Sequence, residues 1–188
     1  MTVARRRLTR ARRRPQRSGH LDSFIIIALI FGLWFYLGRP GSEPTPPVNG
    51  NATVRDADTL VIGTETFRLL GVDALEYHQS CRRDGETASW PCGREASRAF
   101  AEHVRGRTLS CTGQGHDRYG RTLATCRIGE ADVAEWLVTN GWAFDTGRFG
   151  LGRYAGLERE AANAKRGAWS GRFDKPWQWR PEHPVPAR

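Results

Sequence analysis

Between Ala52 and Val72 the chain carries three short runs suited to β-strands and to little else. ATVRD and DTLVIG are rich in alternating β-branched residues, break at Asp56-Ala57, and lead through a turn at Gly63-Thr64-Glu65 into TFRLLGV. Further on, REASRAFAEHVRG places Ala96, Phe100 and Val104 at helical spacing, and Gly106 ends it. RTLSCTG and RTLATCRIG read as two more strands around the loop QGHDRYG. Asp132 opens a short helix over VAEWLVTNG that Gly141 stops, and YAGLEREAANAKRG reads as a third helix before an aromatic tail, AWSGRFDKPWQWR. Five short strands, with a helix between the third and fourth, predict an α+β architecture: a five-stranded OB-fold β-barrel with three helices packed on it.

A formal charge of +9 suggests a nucleic-acid partner, but its distribution changes that reading. Eight arginines (Arg5, Arg6, Arg7, Arg10, Arg12, Arg13, Arg14 and Arg17) lie in the first 17 residues. From Arg39 onward 21 basic residues face 19 acidic ones, so the globular part is nearly neutral. The arginine-rich head precedes an uncharged run of 15 residues, Phe24 to Gly38, and then a Pro- and Gly-rich stretch. This order predicts a basic cytoplasmic tail over 1–20, a signal anchor or transmembrane helix over 21–38, a linker over 39–50, the folded domain over 51–180 and a C-terminal tail over 181–188. The expected location is the inner (cytoplasmic) membrane, single pass, with the domain in the periplasm or outside; secretion after cleavage is the alternative. The apolar run covers ~22 Å at ~1.5 Å per residue, short of a ~30 Å hydrocarbon core. Four cysteines, Cys81, Cys92, Cys111 and Cys126, favour disulfides in an exported domain and permit three pairings; no C-x2-C spacing supports a zinc site.

Two segments can carry chemistry. In RDADTLVIGTETFRLLGVDALE, Asp56 and Asp58 share a strand face, a hairpin returns Arg68 beside them, and Asp73 and Glu76 follow. Clustered hard oxygen ligands suit calcium or magnesium, and an arginine beside them suits a phosphate. In HDRYGR, a hairpin loop presents Tyr119 as a stacking surface and Arg121 as a second phosphate contact. Either segment alone is equally a solvated rim; their co-occurrence is what points to a site.

These stretches, with GWA and YAGLEREAANAKRGAW, resemble the staphylococcal nuclease (thermonuclease) family in its exported, four-cysteine bacterial form, from about Ala52 to Arg180. The resemblance implies an OB-fold phosphodiesterase that depends on Ca2+, cleaves single-stranded DNA and RNA, and leaves 5′-hydroxyl and 3′-phosphate ends. It implies Asp58 and Asp73 as calcium carboxylates, with the backbone carbonyl of Ala74 and a nearby contribution from Asp56. Arg68 and Arg121 hold the scissile phosphate, and Glu76 orients or deprotonates the attacking water. Arg118 and Tyr119 contact the neighbouring phosphate and base, and Thr59 completes the motif. The cysteines then pair as Cys81–Cys92 and Cys111–Cys126, the latter across the strands flanking DRYGR. A monomer is expected, attached to the membrane through Phe24–Gly38. Ala57 and Leu75 stand where the family has glycine and proline, and its two base-stacking tyrosines have no clear match; Phe149 and Tyr154 lie near their place. The other readings are a non-catalytic OB-fold binding module and a cell-envelope accessory factor associated with exopolysaccharide biosynthesis. His103 reads as a surface or packing residue, His78 and His116 lie closer to the proposed site but lack a partner spacing, Trp136 and Trp142 read as core, and Trp169, Trp177 and Trp179 as ties for the tail.

Overall fold

The computed structural model describes residues 20–37, 44–147 and 151–184; the basic head, residues 38–43 of the linker region and Phe149 lie outside them. The chain divides into two compact units, Met1–Gly41 and Ser42–Arg188. The first holds helix α1 (His20–Leu37), whose side chains from Ile25 to Leu33 are exposed. Among the described residues no helix is long and apolar enough to cross a membrane, so the expected transmembrane helix is not supported. At 18 residues α1 spans ~27 Å, and its first turn carries His20, Asp22 and Ser23.

The second unit is built on strands β1 (Val48–Asp56), β2 (Thr59–Ile62) and β3 (Glu65–Leu69), then β4 (Val72–Ala74), β5 (Cys81–Arg83) and β6 (Ser89–Trp90). Helix α2 (Cys92–Val104) leads to the long hairpin β7 (Thr108–His116) and β8 (Thr122–Ile128). After β9 (Ala131–Asp132) come α3 (Val133–Thr139), β10 (Ala143–Asp145), α4 (Ala155–Asn163), a 3-10 turn at Gly167–Ser170, β11 (Gly171–Arg172) and α5 (Pro176–Glu182). β1 begins at Val48, inside the stretch expected as linker, because Val48 to Asn51 pair with Cys111 to Thr108 of β7.

Strands β3, β2, β1, β7 and β8 are neighbours in that order, and β3 pairs with β8 in parallel to close a five-stranded barrel. Alternation along β3 decides what faces inward. Phe67 and Leu69 are buried, so Arg68 between them points to the other side. The interior is filled by Leu60, Phe67, Leu69, Leu109 and Ala124, with Phe100 of α2, Leu137 of α3 and Phe144 of β10 in the same core. Each leucine and phenylalanine among them stabilises the fold by about 1.5–3 kcal/mol on burial.

Both cysteine pairs form as expected. Cys111 and Cys126 lie directly opposite each other in the β7–β8 register, and Cys81–Cys92 clips β5 to the start of α2. In a chain-entropy account, closing 15 residues contributes ~3 kcal/mol. Asp132 caps α3 by accepting the Ala134 N–H at 2.8 Å, and Gly141 leaves the helix with φ 72°. The three expected helices are present as α2, α3 and α4. The aromatic tail adds a fourth, α5, which starts at Pro176, where a missing N–H goes unused.

Trp136 stacks on His103, ring centroids 4.0 Å apart. Burial, and then the charge of Arg107, lower the His103 pKa from its usual value near 6.5. The unfolded chain therefore takes up this proton at higher pH than the folded one. Stability from the neutral ring is fully present above the unfolded value and is lost as pH falls through the window down to the folded one. His103→Phe, which keeps the stack, is expected to flatten the fall in thermal midpoint between about pH 7 and pH 5; an unchanged slope assigns it to other groups.

Candidate functional site

The break between β1 and β2 turns the chain so sharply that Asp56 pairs in register with Thr59. Asp58, in the turn, is only 6 % exposed. Thr59 Oγ1 donates to Asp58 Oδ1 at 2.9 Å, and the Ala74 N–H approaches Asp58 Oδ2 at 3.4 Å. Arg68 opposes Thr59 across the β2–β3 hairpin and bridges two carboxylates, Asp58 Oδ2 at 2.6 Å and Asp73 Oδ1 at 2.7 Å. β4 holds Asp73, paired with Phe144 of β10, and buries it. Burial alone would favour neutral Arg68, but the Asp58 and Asp73 charges outweigh it and hold its pKa above the ordinary value. For Asp56, burial and then the neighbouring Asp58 charge push the carboxyl up.

Glu76 sits on the loop that leaves β4. That loop is fixed from behind by Gln79, which is fully buried: the Glu76 N–H donates to Gln79 Oε1 (3.2 Å), and the Gln79 N–H returns to the Glu76 carbonyl (2.8 Å). Gln79 Nε2 donates onward to the Asp174 carbonyl at 2.6 Å, tying the loop to the C-terminal segment. Helix α2 crosses the same loop at Gly93, where a Cβ would lie 1.7 Å from the Glu76 carbonyl oxygen.

The second segment is ordered by Asp117. Its carboxylate accepts the backbone N–H groups of Tyr119 and Arg121 and the Arg121 Nε at 2.7 Å. Burial alone would raise its pKa, but these bonds and the Arg121 charge hold the carboxyl below its usual range. Arg121 Nη1 then reaches Thr59 Oγ1 at 3.3 Å, which joins DRYGR to the acidic segment through a single hydroxyl. Tyr119 is 68 % exposed, with the Arg118 and Arg121 guanidiniums 4.8 and 5.5 Å from its ring centroid.

The two segments meet in one cleft of about 1050 Å³, lined by Asp56, Asp58, Arg68, Asp73, Ala74, Glu76, Arg118, Tyr119 and Arg121. Thr59 does not line it; buried behind the wall, it couples Asp58 to Arg121 instead of facing a substrate. Ala74 directs its N–H toward Asp58. Tyr154 is a core residue whose hydroxyl donates to Asp132 at 3.0 Å; burial and that carboxylate raise its pKa, and it offers no face to a base. His116 lies 3.4 Å from Thr122, and His78 packs edge-on to Tyr77, both off the cleft wall.

Sequence reasoning passed over Asp117, Gln79 and Arg180, and read Trp177 only as a tie for the tail. Trp177 and Arg180 come from α5 and line the cleft. Arg180 Nη2 contacts both Asp73 oxygens at 2.5 Å, and its Nε contacts Glu76 Oε1 at 2.5 Å. The available signal for Asp117 was its place four residues before Arg121 in a glycine turn; for Arg180 it was one arginine closing an aromatic run.

The donor set at the acidic end is all oxygen, which fits a hard divalent cation and excludes a thiolate or imidazole site. Its buried carboxylates already require positive partners, here supplied by guanidinium. Among the described residues no group of three His, Cys, Asp or Glu side chains converges on one point. The donor chemistry suits such an ion, and Asp58 and Asp73 are the carboxylates that would hold one.

Residues 66–171 match the family model described as "Staphylococcal nuclease homologue". The succinoglycan biosynthesis protein ExoI of Rhizobium meliloti (strain 1021) is 35 % identical over 144 residues, 76 % of this chain and 71 % of that protein. A probable staphylococcal-like nuclease of rice, CAN3, is 30 % identical over 126 residues, 65 % of this chain but 30 % of its own length. The probable endonuclease LCL3 of Schizophyllum commune (strain H4-8 / FGSC 9210) is 28 % identical over 120 residues, 55 % of this chain and 39 % of that protein. Barrel, cleft and kinship agree: the chain belongs to the staphylococcal nuclease family.

Proposed function

We propose that the chain is a calcium-dependent phosphodiesterase that hydrolyses single-stranded DNA and RNA to 5′-hydroxyl and 3′-phosphate ends. The observation that carries this reading is the meeting of Asp58, Asp73, Glu76, Arg68 and Arg121 in one cleft from distant parts of the sequence. A phosphodiester resists attack because it is already anionic. Arg68 on β3 and Arg121 at the start of the adjacent β8 neutralise charge that builds on its equatorial oxygens. Glu76 orients a water and accepts its proton; the oxygen adds to phosphorus, the P–O5′ bond breaks, and the departing oxygen takes a proton to leave a 5′-hydroxyl. Bound at Asp58 and Asp73, calcium supplies further charge neutralisation at the phosphate. Tyr119, exposed and flanked by guanidiniums, offers the adjacent nucleotide a stacking face.

Incubating the full chain with a single-stranded oligonucleotide should give cleavage with calcium and none with chelator, and Glu76→Gln should reduce the rate about 10²-fold or more. Degradation that ignores chelator removes the metal from this reading, and an undiminished Glu76→Gln removes the site.

The proposed setting is outside the cytoplasm, with the apolar segment 24–38 directing export. An arginine-rich head before that segment and two disulfides support it. An alkaline phosphatase reporter fused after Arg188 is expected to be active; a silent fusion with an active cytoplasmic reporter contradicts export. The similarity to ExoI favours a second reading, a role beside exopolysaccharide biosynthesis. Deleting the gene without any change in polysaccharide yield would remove it.

A further inference from the structure

Arg180 stands more than a hundred residues from the carboxylates it holds, and the seating of its helix does not need it. Pro176 is buried, Trp177 packs edge-on to Phe144, Lys175 lies over the rings of Phe144, Trp169 and Trp177, and Gln79 holds the Asp174 carbonyl. The guanidinium is the free end of an arm anchored at its base, its side chain 43 % exposed at the cleft. It sits where two other roles are due. Both oxygens of Asp73 accept from Arg180 Nη2, although Arg68 already serves one of them. Oε1 of Glu76 is held by Arg180 Nε. A carboxylate gripped in this way is a poor cation ligand, and a glutamate so paired is a poor acceptor for a water's proton. For both to act, Arg180 has to leave. The same planar fork that fits a carboxylate fits a phosphate.

We propose that Arg180 is an internal counter-ion of the acidic site: it occupies Asp73 and Glu76 at rest, is displaced by a divalent cation, and turns to the phosphodiester that enters with it. This rests on the nuclease reading for its second half only. A dication repels a guanidinium on the same oxygens, so Arg180 must leave Asp73, and Arg68, which bridges Asp58 and Asp73, must yield those oxygens as it turns to the phosphate. The incoming anion then draws the freed guanidinium a short distance across the cleft while α5 stays seated. The C-terminal segment thereby keeps the carboxylates neutralised without metal and adds a third arginine, beside Arg68 and Arg121, when metal and substrate are both present.

The test compares the full wild-type chain with Arg180→Ala and Arg180→Gln. Calcium binding is measured by titration calorimetry without nucleic acid, and turnover by steady-state cleavage of a single-stranded DNA oligonucleotide. Both variants are expected to bind calcium about tenfold more tightly than wild type and to turn over about 10²-fold more slowly. The glutamine variant keeps the side chain's stem, so it decides the matter if the alanine variant unfolds. Unchanged or weaker calcium binding in a folded variant overturns the counter-ion role. Tighter binding with faster turnover overturns the phosphate-facing half and leaves a simple blocker. Wild type that binds calcium but cleaves no nucleic acid sinks the nuclease reading while calorimetry still decides the counter-ion. Calcium binding by neither wild type nor variant overturns both halves.

Discussion

Arg121→Lys is expected to lower turnover on single-stranded DNA by about 10²–10³-fold, with a thermal midpoint within a few degrees of wild type. Charge is conserved in this variant, so the loss would measure shape. Arg121 uses Nε and Nη2 on Asp117 and Nη1 on Thr59 at once, which aims the guanidinium at the cleft. A lysine ammonium is a point charge on a flexible stem and lacks the rigid planar fork that spans these two partners. Thr59 would lose a contact, and with it Asp58 loses its link to the DRYGR loop. A rate within threefold of wild type would mean that position 121 supplies charge alone.

Gly93→Ala is expected to act on catalysis without touching the cleft. The new Cβ would lie 1.7 Å from the Glu76 carbonyl oxygen and 2.7 Å from its carbon, both backbone atoms. Backbone does not yield as a flexible side chain does, so α2 and the Glu76 loop must separate. Overpacking of this kind costs about 1–3 kcal/mol. A displacement of about 1 Å in a catalytic carboxylate can cost about 10²-fold in rate. Turnover should therefore fall about 10²-fold, with the thermal midpoint several degrees lower, while calcium binding at Asp58 and Asp73 changes less. Wild-type turnover would show that the loop relaxes without moving the Glu76 carboxylate.

The barrel and most of the cleft were legible because both rest on local patterns. Alternation set Phe67 and Leu69 against Arg68, and a two-residue spacing put Asp56 and Asp58 together. The turn glycines and the Asp132 cap marked where elements end. What was not legible depends on contacts between distant segments. Nothing near Gln79 announces that a buried amide will hold both the Glu76 loop and the Asp174 carbonyl. α5 was hidden because Pro176, Pro181 and two tryptophans obscure a helical period over seven residues. Arg180 followed it into obscurity, since its partners lie over a hundred positions away. Thr59 was placed beside Asp58 by adjacency, which cannot show that its hydroxyl also receives Arg121. The start of β1 was misplaced by four residues, Ala52 against Val48, because Asn49 and Gly50 look like linker until β7 is available to pair with them.

The seam between β3 and β8 joins positions 55 apart, and that between β1 and β7 joins Val48 to Cys111. Ring closure of this kind pays loop entropy before it returns any contact, which places the chain among slow-folding topologies. The outer edges of the β7–β8 ribbon receive β1 on one side and β3 on the other, and its rungs are locked by Cys111–Cys126. An oxidising environment thus does more than toughen the finished molecule: it hands the growing sheet a pre-aligned template, with register already chosen on either flank.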